Sequence, residues 1–367
     1  MKNRKKLIFA FFLCVAIGMM IGCSSKQEIT AQSSSDHPTH KPVYEKLEHG
    51  EPIQYLVVGD SIGEGVGAST EAAKWTSIFN EKITERYTSE VKSIRLTKGG
   101  SDSFDGLVEF NNYKTSKDYD LVFVSFGQND QNYLSEKEFN ESYSSLVENI
   151  MLRFPKAEVF TFIEHGLEKK EYRETIEDVS NQYDLNIIDA QQAFNESGKD
   201  VAQLSDDRIH PNDEGYQLYA DEILNKIGKK VEDKDKPEIL AKVMADLKRH
   251  TTDFHGTPNA KNGFKAKETY FVSDTNGAFI EFKVDSKDRD FLGVSLITNK
   301  DGGFIEVYID NEMKEKISTY SPYPKKRHFL IDKDISKGKH TVKLVVTGEK
   351  SKNSSGNIAR VIGVQTR

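Results

Sequence analysis

Short apolar runs alternate with helical segments over a long stretch of this chain, from about residue 55 to residue 227. Runs rich in Val, Ile, Leu and Phe, as buried strands are, lie at 55–58, 91–96, 121–126, 158–163 and 185–189. Segments with apolar residues at helical spacing lie at 72–87, 139–154, 172–183 and 215–227. This alternation predicts an α/β fold with a parallel sheet covered by helices, and it places any chemistry at the carboxyl ends of the strands.

A different pattern follows a charged segment near residues 229–237. From about Phe254 to the end, short strand-like runs are separated by turn signals such as Asp301-Gly302-Gly303. Runs at this spacing predict an all-β sandwich. The sequence therefore predicts an α/β domain at 51–230, a linker with a short helix at 231–253, and a β-sandwich domain at 254–367.

The N-terminus predicts export. Basic residues at the start precede an almost wholly apolar run, 7–21, which is too short to span a bilayer comfortably and is followed by a Ser-rich polar stretch. These are the features of a signal peptide, here residues 1–22. The junction Met20-Ile21-Gly22-Cys23 resembles the lipobox of bacterial lipoproteins, in which the Cys is diacylated. We therefore expect a lipid on Cys23, an extracytoplasmic protein anchored to the bacterial cell membrane, and a flexible polar tether at 23–50.

The composition argues against three kinds of protein: disulfide-stabilised proteins, proteins with a cysteine-based metal site, and nucleic-acid-binding proteins. The chain has only two cysteines, and Cys14 lies in the segment that would be removed. If Cys23 carries lipid, the mature protein has no disulfide and no cysteine-based metal site. The net charge of −7 and the pI near 5.8 argue against a nucleic-acid partner, whose binding surface would be basic.

Gly59-Asp60-Ser61-Ile62 ends the first strand and precedes a helix. A serine at a strand-to-helix turn lies where backbone N–H groups converge and the helix dipole favours negative charge, which suits a nucleophile and its oxyanion. A helix-capping serine is the alternative for this tripeptide alone.

Asp207-Arg208-Ile209-His210-Pro211 lies before the last predicted helix. At this spacing a carboxylate can contact one imidazole nitrogen and leave the other free to take a proton from serine. A surface ion pair is the alternative.

Two further blocks follow strands. Gly127-Gln128-Asn129-Asp130 comes directly after the most apolar strand, and the Asn129 amide is a suitable neutral donor to an oxyanion. Gly99-Gly100-Ser101-Asp102-Ser103 follows the second strand, where glycine lets the backbone approach a substrate and offer an N–H.

These four blocks, in this order, resemble those of the SGNH (GDSL-type) hydrolase family over about residues 52–230. The resemblance implies a three-layer α/β/α, flavodoxin-like fold and a serine esterase without metal or organic cofactor. It implies Ser61 as nucleophile, His210 as general base and Asp207 as its orienting carboxylate. The Ser61 N–H, the Gly100 N–H and the Asn129 side chain would form the oxyanion hole.

Two positions depart from the family pattern. Ile62 stands where Leu is common, and the second block lacks the Asn that often opens it, which leaves the choice between Gly99 and Gly100 open. His165, which follows the fourth strand, is a candidate for the pocket lining, with an ordinary loop histidine as the alternative.

The predicted β-sandwich loosely resembles the jelly-roll modules of carbohydrate-active enzymes. With an envelope location, this favours O-acetyl groups on a polysaccharide as substrate. Lysophospholipase or thioesterase activity on a lipid ester, O-acyl transfer to a cell-wall glycan, and a binding protein with a vestigial triad remain as alternatives. Tyr320 and Tyr323 could stack on sugar rings, with packing or a plain loop position as the alternative for each. We expect this domain to localise the enzyme and to take no part in the chemistry.

Overall fold

The computed structural model describes residues 41–233, 247–287 and 290–367. The predicted signal peptide, Cys23, the first part of the predicted tether and most of the helix predicted in the linker lie outside these residues. Among the residues described, no helix combines the length and the apolar character needed to cross a membrane.

The first domain is built on a parallel sheet, as the alternating pattern predicts. Its strands are β1 (Ile53–Gly59), β2 (Val91–Thr97), β3 (Leu121–Ser125), β4 (Glu158–Ile163) and β5 (Asn186–Asp189). They lie in the order β2-β1-β3-β4-β5, and every pairing is parallel. The central strand β3 is buried along its whole length, in keeping with its unbroken apolar sequence.

Helices cover both faces of this sheet. The helices are α1 (Val43–Glu48), α2 (Ser61–Glu64), α3 (Trp75–Tyr87), α4 (Ser103–Asn112), α5 (Asp130–Tyr133), α6 (Glu136–Arg153), α7 (Lys170–Gln182), α8 (Ala190–Glu196), α9 (Val201–Leu204) and α10 (Asp213–Asp233). One apolar core joins α4, α6 and α7 to the sheet, and a second joins α1, α3, α8 and α10. The three-layer α/β/α architecture is confirmed.

Several helices were not expected, namely the short α5, α8 and α9 and, more importantly, α1 and α4. Residues 43–48, assigned to the tether, form α1, because Val43 and Leu47 fall on one helical face and are each only 1% exposed. The predicted domain boundary at residue 50 is therefore too late. Helix α4 was not expected, although Phe104, Leu107 and Val108 have helical spacing and are buried.

The second domain is antiparallel and β-rich, as predicted. Its strands are β6 (Asp253–His255), β7 (Ala260–Asn262), β8 (Lys265–Ala266), β9 (Phe271–Ser273), β10 (Phe279–Ser286), β11 (Asp290–Thr298), β12 (Gly303–Ile309), β13 (Glu312–Ser318), β14 (Lys325–Ile335), β15 (Gly338–Lys350) and β16 (Ala359–Thr366). They form two sheets, ordered β13-β12-β15-β10-β7 and β14-β11-β16-β9-β8, with β6 beside β16. Residues from both sheets share one apolar core.

The two domains share a buried contact. The rings of Phe104 on α4 and Phe291 on β11 meet edge to face, with centroids 5.0 Å apart, and both side chains are buried. The described end of the predicted linker also packs on the first domain, where the His250 carbonyl accepts hydrogen bonds from the Asn111 and Asn149 amides at 2.9 and 2.7 Å. The second domain is thus packed against the first.

Candidate active site

Ser61 lies at the carboxyl end of the central part of the sheet. It follows β1 and is the first residue of α2, whose N-cap is Asp60: the Asp60 Oδ1 accepts a hydrogen bond from the Ile62 N–H at 2.8 Å. A residue at the start of a helix has no intrahelical acceptor for its N–H. Capping by Asp60 therefore leaves the Ser61 hydroxyl and N–H available at the sheet edge.

His210 and Asp207 come from the loop before α10. The His210 Nε2 lies 2.9 Å from the Ser61 Oγ, and the His210 Nδ1 lies 2.7 Å from the Asp207 Oδ2. The other Asp207 oxygen accepts hydrogen bonds from the backbone N–H groups of Ile209 and His210, at 2.9 and 2.7 Å. The structure thus brings together the serine, histidine and aspartate that the sequence singled out.

The electrostatics of Asp207 suit an orienting role. Partial burial raises the pKa of this carboxyl, but hydrogen bonds from the backbone and ring of His210 and from the Ile209 N–H outweigh it and lower the pKa to about 2. Asp207 is therefore ionised at neutral pH and holds the proton of His210 on Nδ1. The Nε2 is then free to accept the Ser61 proton.

A tight turn from Lys98 to Ser101 lies beside the serine. The Ser101 N–H donates to the Lys98 carbonyl at 3.1 Å, and Gly100 has a φ of 79°, the value of the third residue of a type II turn. A Cβ added at Gly99 would lie 3.6 Å from the Ser61 Cβ. No acceptor among the described residues takes the Gly100 N–H.

The Asn129 side chain connects this turn to Asp60, the residue before Ser61. Its Nδ2 donates to the Asp60 Oδ2 at 2.8 Å and to the Ser101 carbonyl at 2.9 Å. Both amide hydrogens therefore have protein acceptors in this structure. A substrate oxygen that receives a hydrogen bond from Asn129 must share a hydrogen with one of them.

Several buried carboxyls lie behind the site, and the sequence analysis did not single out any of them as a group that would be buried. Glu164 accepts hydrogen bonds from the Ser125 hydroxyl at 2.6 Å and from the Gln128 N–H at 2.8 Å. Burial raises the pKa of Glu164 to about 7 and that of Asp102 to about 7, and it raises the pKa of Asp130 to about 6. For Glu164 the sequence held one signal, since this acidic residue directly follows the apolar strand β4.

His165 is buried near the loop that carries Asp207 and His210. Its ring stacks on Phe194 with centroids 4.4 Å apart, and its Nδ1 lies 3.2 Å from the Tyr219 hydroxyl. Desolvation lowers the pKa of His165 to about 4, so the ring is neutral at neutral pH. The Tyr219 hydroxyl also accepts the backbone N–H of His165 at 3.1 Å, which leaves its own proton for Nδ1.

One group of side chains has the spacing of a metal site. Asp105, Glu109 and His328 each present a ligand atom within 4.8 Å of the others. Arg327 already pairs with Asp105 at 2.6 Å, and Lys98 lies 2.8 Å from the same carboxylate. This group is a network of ion pairs across the interface of the two domains.

A linked serine, histidine and aspartate at the carboxyl edge of a parallel α/β sheet is an arrangement that serine hydrolases use for acyl transfer. Residues 57–218 match the family described as GDSL-like Lipase/Acylhydrolase. This match supports a serine ester hydrolase of the GDSL (SGNH) type.

Two relatives extend the comparison. The spore germination lipase LipC of Bacillus licheniformis is 22% identical over 207 residues, which cover 47% of this chain and 94% of the lipase. A two-domain esterase (CEX) active on acetylated mannans, crystallised with mannopentaose, aligns with a TM-score of 0.71. Its identity is 17%, and the alignment covers 88% of this chain and 93% of the esterase. This second likeness concerns the fold, and it extends over both domains.

Proposed function

We propose that this protein removes ester-linked acyl groups, in particular O-acetyl groups, from a polysaccharide of the cell envelope, with Ser61, His210 and Asp207 as its catalytic triad. The observation that carries the proposal is the unbroken chain of hydrogen bonds from the Ser61 Oγ through His210 to Asp207. Serine hydroxyls are poor nucleophiles unless an adjacent base accepts their proton, and this arrangement supplies one.

The reaction proceeds in two acyl transfers. The Ser61 oxygen attacks the ester carbonyl while its proton passes to the His210 Nε2, and His210 then donates that proton to the departing alcohol oxygen. A water molecule, deprotonated by His210, then attacks the acyl-serine carbonyl; the bond to the Ser61 oxygen breaks, His210 returns the proton to that oxygen, and the carboxylic acid is released. Asp207 keeps its charge throughout and stabilises the imidazolium.

The oxyanion that forms in each step needs donors beside Ser61. The two proposed backbone donors are the Ser61 N–H, at the start of α2, and the Gly100 N–H, in the tight turn beside it. Asn129 is the third proposed donor and would share a hydrogen with the Ser101 carbonyl. The three together would stabilise the negative charge where it develops.

A glycan ester is the substrate that the combined observations favour. The likeness in fold to an esterase active on acetylated mannans includes the second domain. The proposed location rests on the N-terminal sequence, in which a lipid on Cys23 would hold the enzyme at the outer face of the membrane. Esters of cell-envelope polysaccharides would then be within its reach.

The test measures hydrolysis by the purified protein of p-nitrophenyl esters of graded acyl length, together with acetate release from acetylated glycans. We expect the highest kcat/KM on the acetyl ester and release of free acetate from polymer. A preference for long acyl chains would favour the lipase activity of the LipC relative. Transfer of acetyl to an added sugar in place of release would indicate an acyltransferase.

A further inference from the structure

A lysine of the second domain reaches the catalytic turn of the first. Lys325 is the first residue of β14, and its Nζ donates a hydrogen bond to the Gly99 carbonyl at 2.8 Å. The Gly99 carbonyl and the Gly100 N–H belong to one peptide group. The ammonium therefore binds the opposite end of the peptide whose N–H is a proposed oxyanion donor.

We propose that Lys325 is a positioning residue for ester hydrolysis, which fixes and polarises the Gly99–Gly100 peptide so that its N–H donates more strongly to the oxyanion. This inference rests on the proposed function. A charge-assisted hydrogen bond to a carbonyl is shorter and stronger than a neutral one. It also draws electron density from the amide nitrogen, so that successive hydrogen bonds through one peptide strengthen each other.

The turn has few other restraints at this peptide. The Lys98 carbonyl accepts from the Ser101 backbone N–H and from its hydroxyl, at 3.1 and 2.6 Å, and the Ser101 carbonyl accepts from Asn129. These contacts all come from the first domain and hold the two ends of the turn. The central peptide has no side chain of its own on either residue, and the Gly99 carbonyl takes its partner from the second domain.

The rest of β14 holds Lys325 in place. The Arg327 Nε donates to the Asp105 Oδ2 at 2.6 Å, and the buried His328 ring lies 3.0 Å from Glu109. Both acceptors are on α4, which begins two residues after the turn. The strand is thus fastened to the helix that follows the turn, and Lys325 lies at the end of β14 nearest the serine.

The surroundings of Lys325 predict how its charge, and therefore the activity, depends on pH. Desolvation and the neighbouring Arg327 and Lys98 lower the pKa of Lys325 below its ordinary value of 10.5, against the opposite effect of Glu64 and Asp105. Because the pKa is lowered, the Lys325 ammonium loses its proton at a lower pH than an ordinary lysine does. An arginine at this position would stay charged throughout that range.

The experiment compares Lys325→Met, Lys325→Arg and a control, Lys326→Met, with the full protein on p-nitrophenyl acetate. Lys326 is the next cation on the strand and pairs with Glu109 at 3.4 Å. Removing a whole oxyanion donor costs about 10² to 10³ in kcat, so removing its polarising partner should cost Lys325→Met about tenfold in kcat, with KM unchanged. Lys325→Arg should keep most of the activity and lose the alkaline decline of the wild type, and Lys326→Met should match the wild type.

The possible results separate this proposal from the proposed function. Wild-type kcat in Lys325→Met, or a loss confined to KM, overturns the role of Lys325. If Lys325→Met does not fold, the pH profile of Lys325→Arg decides, and an alkaline decline identical to the wild type overturns the role. Activity that survives Ser61→Ala would instead contradict the proposed function, whatever the Lys325 variants show.

Discussion

At the scale of single residues, the triad makes the sharpest prediction. Ser61→Ala and His210→Ala should each lower kcat on p-nitrophenyl acetate by several orders of magnitude, because the two side chains act in one proton transfer. Both variants should unfold at the wild-type temperature, as measured by circular dichroism. Asp207→Asn should lose less than His210→Ala, since it removes orientation and charge but leaves the base in place. Near-normal turnover in either of the first two variants would exclude these residues.

Asn129 allows a second test at this scale. Asn129→Ala should lower kcat by about 10² to 10³, or about 2.7 to 4 kcal/mol in the activation free energy, with KM little changed. The matched control is Asn132→Ala, on the short helix α5 that Asn129 precedes; among the described residues the Asn132 amide donates to the Gln128 carbonyl, at 3.1 Å. An Asn129→Ala enzyme impaired only in KM would show that this side chain binds the ground state.

At the scale of helices and strands, the contact between α4 and β11 should matter for stability. Phe291→Ala removes a buried ring that packs on Phe104, and substitutions of this kind cost about 3–5 kcal/mol. We expect a loss of that size in the free energy of unfolding by urea. Tyr323→Ala, which truncates a side chain that is 72% exposed, should leave it unchanged. Equal stability of the two variants would show that the interface contributes little.

The sequence was sufficient to predict the helices and strands that have a strong hydrophobic pattern, and it did not predict the others. The buried strands of the parallel sheet have continuous apolar sequences, and their positions were predicted closely. The sequence does not predict strand β13, because five of its seven residues are exposed and mostly charged and it lacks a core-facing pattern. Ser61, Asp207 and His210 were found through local motifs at strand ends. Lys325 has no such motif, because its contact with Gly99 depends on how two domains pack.

At the scale of the whole molecule, the structure changes the expected role of the second domain. The sequence pattern predicted an accessory domain that takes no part in the chemistry, but β14 contacts the turn beside Ser61 and the ion pairs around Asp105 cross the interface. A chain ending at residue 230 exposes Phe104 and leaves Asp105 without Arg327. We expect this truncated chain to aggregate or to lose most turnover even on p-nitrophenyl acetate.

The matched control for that truncation begins at residue 41 and retains both domains. It should be as soluble and as active on p-nitrophenyl acetate as the chain that begins at residue 24. Gel filtration and kcat on p-nitrophenyl acetate, measured on the truncated chain and on this control, show whether loss of the second domain causes aggregation or loss of turnover. A folded 41–230 fragment with the full kcat would show that the second domain serves only in binding.

Ser61 is the proposed nucleophile of this hydrolase. Diethyl 4-nitrophenyl phosphate tests this role directly, because an activated serine attacks the phosphorus, releases 4-nitrophenolate and keeps one diethylphosphoryl group. Intact mass spectrometry should show a single added group on the wild-type protein, peptide mapping should locate it on Ser61, and esterase activity should fall in proportion. Ser61→Ala should gain no mass. A label on another residue that abolishes activity, or activity that survives full labelling of Ser61, would contradict the account.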